Sequence, residues 1–123
     1  MENTKIWKDT EKILEEVFPE LINKIADLYP PTAEFHNFYQ GLMEYLHAIS
    51  IVFVTERKRS SDDFLLQAKT YFPLAIQEKV TEPLKKMASK LEKYKSSLKP
   101  QDIEEYSIAE KKEKREKESS YIS

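Results

Sequence analysis

Residues 80–98, VTEPLKKMASKLEKYKSSL, constrain the fold of this chain more than any other stretch. Read in steps of four and three they give Val80, Leu84, Met87, Leu91, Tyr94 and Leu98, an unbroken a/d alternation over nearly three heptads. Between these positions lie Lys85, Lys86, Lys90, Lys93, Lys95 and Lys99, with Glu92 among them. One face of such a helix needs an apolar partner, and its other faces are strongly basic.

The rest of the chain supplies further helices. The first opens near Thr4 or Asp9 and carries Ile6, Ile13, Leu14, Val17, Phe18, Leu21, Ile22, Ile25 and Leu28 on one side at helical spacing. Pro19 lies inside that pattern; it lacks an amide donor and crowds the preceding turn, which predicts a kink or a restart. Tyr29-Pro30-Pro31 ends the element, because a residue before proline is driven out of the helical region. Thr32 is the candidate N-cap of the next helix. Phe35, Phe38, Leu42, Tyr45, Ile49 and Val52 form its stripe, widened by Tyr39, Leu46 and Phe53. Its end, AISIVFV, is rich in β-branched residues and has a short strand as the competing reading; the unchanged period favours helix. Gly41 lowers helix propensity by about 1 kcal/mol against alanine, and permits a close helix crossing. Glu56-Arg57-Lys58-Arg59 closes the helix with positive charge at its C-terminus, where the macrodipole favours it. Ser60, Ser61 and Asp62 provide a turn and a new N-cap. Phe64, Leu65, Ala68, Phe72, Ala75 and Ile76 then run in phase into Val80, which predicts one long helix over 62–98, bent at Pro73 and Pro83.

These elements define an all-α fold, an antiparallel bundle of three long, proline-kinked helices with a projecting coiled-coil-like arm. A single Gly and 34% charged residues agree with long helices and leave little for a turn-rich β fold. The bundle is assigned to residues 4–98. Residues 99–123 are read as a charged helix opened by Asp102 or a disordered tail, with 119–123 as tail, because 111–118 contain only Lys, Arg and Glu. At 1.5 Å per residue the helix over 32–58 spans about 40 Å and that over 62–98 about 55 Å. An antiparallel return therefore overshoots, and the overhanging seam calls for a second chain: a homodimer with Val80, Leu84, Met87, Leu91, Tyr94 and Leu98 at the interface. The absence of cysteine fits a reducing, cytoplasmic setting. The N-terminal stretch has no apolar h-region, and the longest apolar run is far short of the 18 or more residues, roughly, that a membrane span needs. The net charge of −2 argues against a uniformly basic nucleic-acid binder.

No residue pattern for catalysis is present: there is no Gly-rich phosphate loop, no G-x-S-x-G and no H-E-x-x-H. Glu44 and His47 form the E-x-x-H spacing of di-iron carboxylate bundles, but no second such pair accompanies it and both fall off the core stripe. They read as surface residues, with no metal or cofactor implied. His36, beside Phe35, reads as half-exposed. The aromatic residues at 35, 38, 39, 45 and 53 have inward helical spacing and read as core rather than as a base-stacking platform. Trp7, flanked by Lys5 and Lys8, reads either as an interfacial anchor or as a lid on the bundle.

Three segments together resemble part of a BAR-superfamily domain of the inverse-BAR, missing-in-metastasis type. Residues 17–39, VFPELINKIADLYPPTAEFHNFY, are similar to the start of its first helices, with a Tyr-Pro break before a Phe-rich helix. Residues 78–99, EKVTEPLKKMASKLEKYKSSLK, resemble the V-x-x-PL step into a lysine-rich arm, and 102–117, DIEEYSIAEKKEKREK, its continuation. The resemblance implies a non-enzymatic dimer peripheral to the membrane, binding anionic lipid through Lys85, Lys86, Lys90, Lys93, Lys95 and Lys99 at on the order of 1 kcal/mol each. The alternative expectation is a helical protein–protein interaction module, an adaptor without lipid binding.

Overall fold

The chain begins its first helix where a hydroxyl can cap it: Thr4 Oγ1 accepts the Trp7 amide at 3.3 Å. The computed structural model describes residues 4–122, with side chains through Glu113. Five helices follow in order: α1 (Lys5–Ile25), α2 (His36–Thr55) after a single 3-10 turn at Ala33–Phe35, α3 (Ser61–Lys69), α4 (Leu74–Ser97) and α5 (Pro100–Ile122). The described residues contain no strand.

Pro19 neither stops nor restarts α1, which runs through it as one element of 21 residues. The helix ends at Ile25, whose carbonyl accepts the amides of Leu28 at 3.1 Å and Tyr29 at 2.9 Å. Leu28, expected on the core face, is therefore outside the helix and half exposed. Thr32 precedes the 3-10 turn, but its hydroxyl caps nothing.

The AISIVFV segment is helical, and Ile51, Phe53 and Val54 from it are buried. The core face of α2 is rotated from the expected stripe: Leu42, Leu46, Ser50 and Phe53 are buried, while Phe35, Phe38, Tyr45, Ile49 and Val52 are half-buried. Ser50 is admitted because its hydroxyl donates to the Leu46 carbonyl at 2.6 Å. The displaced aromatics instead build a ring ladder at one end of the bundle. Tyr29 stacks on Phe38 at 4.4 Å, Phe38 meets Tyr71 at 5.6 Å, and Tyr71 stacks on Tyr45 at 5.4 Å.

The helix expected over 62–98 is two helices. Ser60 and Asp63 form a reciprocal capping box at the start of α3, each bond 3.2 Å. Pro73 lacks an amide and disfavours helical geometry at Phe72, and here it breaks the chain rather than bending it. The Gln67 carbonyl at the end of α3 accepts the hydroxyls of Thr70 at 2.6 Å and Tyr45 at 2.7 Å, and the Phe72 carbonyl accepts from Gln77 at 3.0 Å, so side chains satisfy carbonyls on both sides of the break. Pro83, by contrast, lies buried inside an uninterrupted α4.

This break returns α4 along α1. Lys86 reaches Glu20 at 2.9 Å, Lys90 reaches Glu16 at 3.2 Å, and the Tyr94 hydroxyl donates to Asp9 at 2.8 Å, which fixes an antiparallel register. α4 also packs on α2 and α3, so it is the central helix of the bundle and not a projecting arm. Val80, Leu84, Met87 and Leu91 are fully buried within the single chain, and Tyr94 and Leu98 partly so. At 24 residues against 21, α4 and α1 match in length to within about 5 Å. The overhang that called for a second subunit at these six residues does not exist.

In α5 the side chain of Asp102 accepts the Lys99 amide at 3.0 Å, reaching back from inside the helix rather than capping it from in front. Tyr106 is buried in the same core as α1–α4, with Ile103 packed beside it. The helix includes residues 119–122, expected as tail; Ser123 lies outside the described residues.

A Cβ on Gly41 would lie 2.9 Å from the Tyr71 hydroxyl, which donates to the Phe38 carbonyl at 3.2 Å. Glycine at this position therefore keeps the ring ladder in contact with α2. Replacing it with alanine gains about 1 kcal/mol of helix propensity only once that hydroxyl is gone. We expect Gly41→Ala to raise stability by about that amount in a Tyr71→Phe background and by less, or not at all, in the native chain, as measured by urea unfolding of the four variants.

Four tyrosines stabilise the fold in a pH-dependent way. Burial raises the hydroxyl pKa of Tyr39 and Tyr71, the latter helped by Glu44. Burial and then the Asp9 hydrogen bond hold Tyr94 far above the ordinary value, and burial with Glu110 and Glu113 pushes Tyr106 up to about 12. For each, the stabilisation is present below the ordinary value of 10.0, where both states are neutral, and is lost as pH rises through its raised folded-state value, about 12 for Tyr106. Tyrosinate absorbance from these four should therefore rise together with loss of the helical circular dichroism signal; full ionisation of all seven tyrosines with helix intact would contradict it.

Candidate interaction groove

The six arm lysines do not form one face. Lys86 and Lys90 are paired with Glu20 and Glu16 of α1. Lys95 points back into the chain, where its Nζ donates to the carbonyls of Glu56 at 2.8 Å and Arg59 at 2.6 Å and lies 4.6 Å from the centre of the Phe53 ring. It ties the α2–α3 connection to α4, and desolvation lowers its pKa. Lys85 and Lys93 line a cleft of about 420 Å³ between α3 and α4, in company with Asp62 and Glu92. Lys99 is exposed at the α4–α5 junction.

His47 is not a surface residue. Its ring is buried against Trp7, with centroids 4.1 Å apart, and Nε2 lies 3.0 Å from both the Trp7 carbonyl and Thr10 Oγ1. A carbonyl can only accept, so Nε2 carries the proton. Thr10 in turn donates to the Ile6 carbonyl at 2.7 Å. Glu44, one turn away, is exposed, so the E-x-x-H pair is split between core and solvent. Trp7 is the lid on the bundle. His36 is exposed. The described residues contain no group of three or more side chains arranged to hold a metal ion, and no helix long and apolar enough to cross a membrane.

The seam between α1 and α2 that Trp7 closes at one end is open at the other. Phe18 and Ile22 of α1 face Tyr39 and Met43 of α2 across a groove with two connected halves. One, about 550 Å³, is bounded by Ile22, Pro31, Thr32, Ala33, His36 and Tyr39. The other, about 430 Å³, is bounded by Phe18, His36, Tyr39, Gln40, Met43 and Glu44. The Tyr39 hydroxyl is committed to the Tyr29 carbonyl, which leaves its ring as an apolar wall. Sequence periodicity had assigned Phe18, Ile22 and Tyr39 to the core; Phe18 and Tyr39 do pack against it, but only partly buried, and period alone does not separate a core wall from a groove wall. Comparison with protein families, with curated proteins and with solved structures found no match.

Among the lysines the structure separates one structural role from the rest. Hydrogen bonds from a charged donor contribute about 1.5–3 kcal/mol, whereas exposed ion pairs contribute about 0–1 kcal/mol. Lys95→Met should lower stability by about 1–2 kcal/mol in thermal or urea unfolding, and Lys85→Met or Lys93→Met by less than about 0.5 kcal/mol.

Proposed function

We propose that this chain is a non-catalytic helical protein–protein interaction module. The observation that carries the reading is the open apolar groove between Phe18, Ile22, Tyr39 and Met43, on a bundle whose own seam is already closed. Partly exposed apolar side chains lining a groove between two helices form a surface that another chain can fill. Of the six lysines named by the BAR resemblance, Lys86 and Lys90 are in ion pairs and Lys95 is bonded to two carbonyls, which leaves Lys85, Lys93 and Lys99, and the first two of these have carboxylates beside them. The membrane-scaffold reading drawn from that resemblance therefore ranks second.

Photo-crosslinking in cells distinguishes the two. A photoreactive amino acid at Met43 should give a discrete crosslinked protein that the same group at Lys93 does not give. Purified protein should not co-sediment with phosphatidylserine-rich vesicles at low salt. Salt-sensitive vesicle binding, lost when Lys85 and Lys93 become Glu, would instead establish the lipid reading.

A further inference from the structure

Resting on the interaction reading, we infer that the α1–α2 groove receives a basic amphipathic helix of a partner protein, anchored by two large apolar side chains on one face. Three observations define this occupant. The first is dimension: the wall from His36 to Glu44 runs two turns along α2, about 12 Å, and its two halves meet at His36 and Tyr39. Two anchors one turn apart on a partner helix match two adjoining pockets of this spacing.

The second is the chain's own use of the same seam. Further along, the gap between α1 and α2 is filled by the Trp7 ring lying against His47. A large flat or branched apolar group is thus what this interhelical space accommodates where it is filled, and the open end lacks one.

The third is charge. Glu44 lines the groove on α2, and Glu15 lies on the same stripe of α1 as Phe18 and Ile22, by the i, i+3 and i+7 spacing. Glu34 adjoins the lining residue Ala33. None of these three exposed carboxylates is in an ion pair among the described residues, and no lysine or arginine lines either half. By contrast Glu16 and Glu20, on the α4 side of the same helix, are neutralised by Lys90 and Lys86. The acidic rim is complementary to Lys or Arg on the partner's flanks, which would set its orientation and speed its encounter.

The test uses the full chain, labelled for NMR, and three synthetic helical peptides. The first carries two Leu anchors four residues apart with Lys at the flanking positions; the second replaces each Lys with Glu; the third keeps Lys and replaces both anchors with Gln. Shift changes confined to Ile22, Tyr39, Met43 and their neighbours, seen with the first peptide alone and weakened at least tenfold by Met43→Arg, are the expected result. Gln40→Lys, on the exposed rim, is the second variant and should weaken binding several-fold without altering the thermal unfolding curve. Equal binding of the acidic peptide, retained binding without the anchors, or shifts mapping to the Lys85 and Lys93 cleft would each overturn the proposal. A Met43 crosslink to a partner segment that is not basic would overturn it while leaving the interaction reading intact; no groove crosslink at all would remove both.

Discussion

The structure depends on one antiparallel contact, that of α4 along α1. Ile6, Leu14, Val17, Leu21 and Ile25 on one helix and Val80, Leu84, Met87 and Leu91 on the other are all buried in a common core. Each such side chain contributes about 1.5–3 kcal/mol when fully removed from water, against about 0–1 kcal/mol for an exposed pair such as Glu20 with Lys86. The apolar seam therefore holds the helices together, and the ion pairs and the Tyr94 to Asp9 bond fix its register. α2 and α3 pack onto this pair, and α5 contacts α1 and adds Tyr106 to the same core.

Much of this was readable in the sequence, because burial imposes a period on the residues that undergo it. The α4 stripe, the α1 stripe, the helical state of AISIVFV and the cap at Ser60 each follow from local spacing or local chemistry. What the period does not encode is which surface covers a stripe. The seam at Val80, Leu84 and Leu91 reads the same whether its partner is a second subunit or the first helix of its own chain. The choice was decided at Pro73, where a chain break rather than a bend reverses the direction of travel. Phase alone could not reveal that, since both outcomes keep the apolar positions in register.

The remaining discrepancies have a common cause in side chains that satisfy their polar atoms internally. His47 and Ser50 are buried because Trp7, Thr10 and Leu46 supply partners, and a polarity scale counts both as surface. Lys95 counts as a surface cation by type, yet two carbonyls and a ring face draw it inward. Phe18, Ile22 and Tyr39 show the converse: residues apolar enough for a core that are left partly exposed as the lining of a groove.

The α1–α4 seam also sets an order of events during biosynthesis. Its polar cross-links join residues 66, 74 and 85 positions apart in sequence, so the α4-facing side of α1 has no native cover until α4 has been made. Contacts of such separation are slow to form, whereas α2 can pack on α1 across a much shorter loop. Until α4 is in place, the side of α1 that carries Leu14, Val17 and Leu21 lacks its principal cover, and the register set by Glu16, Glu20 and Asp9 cannot form.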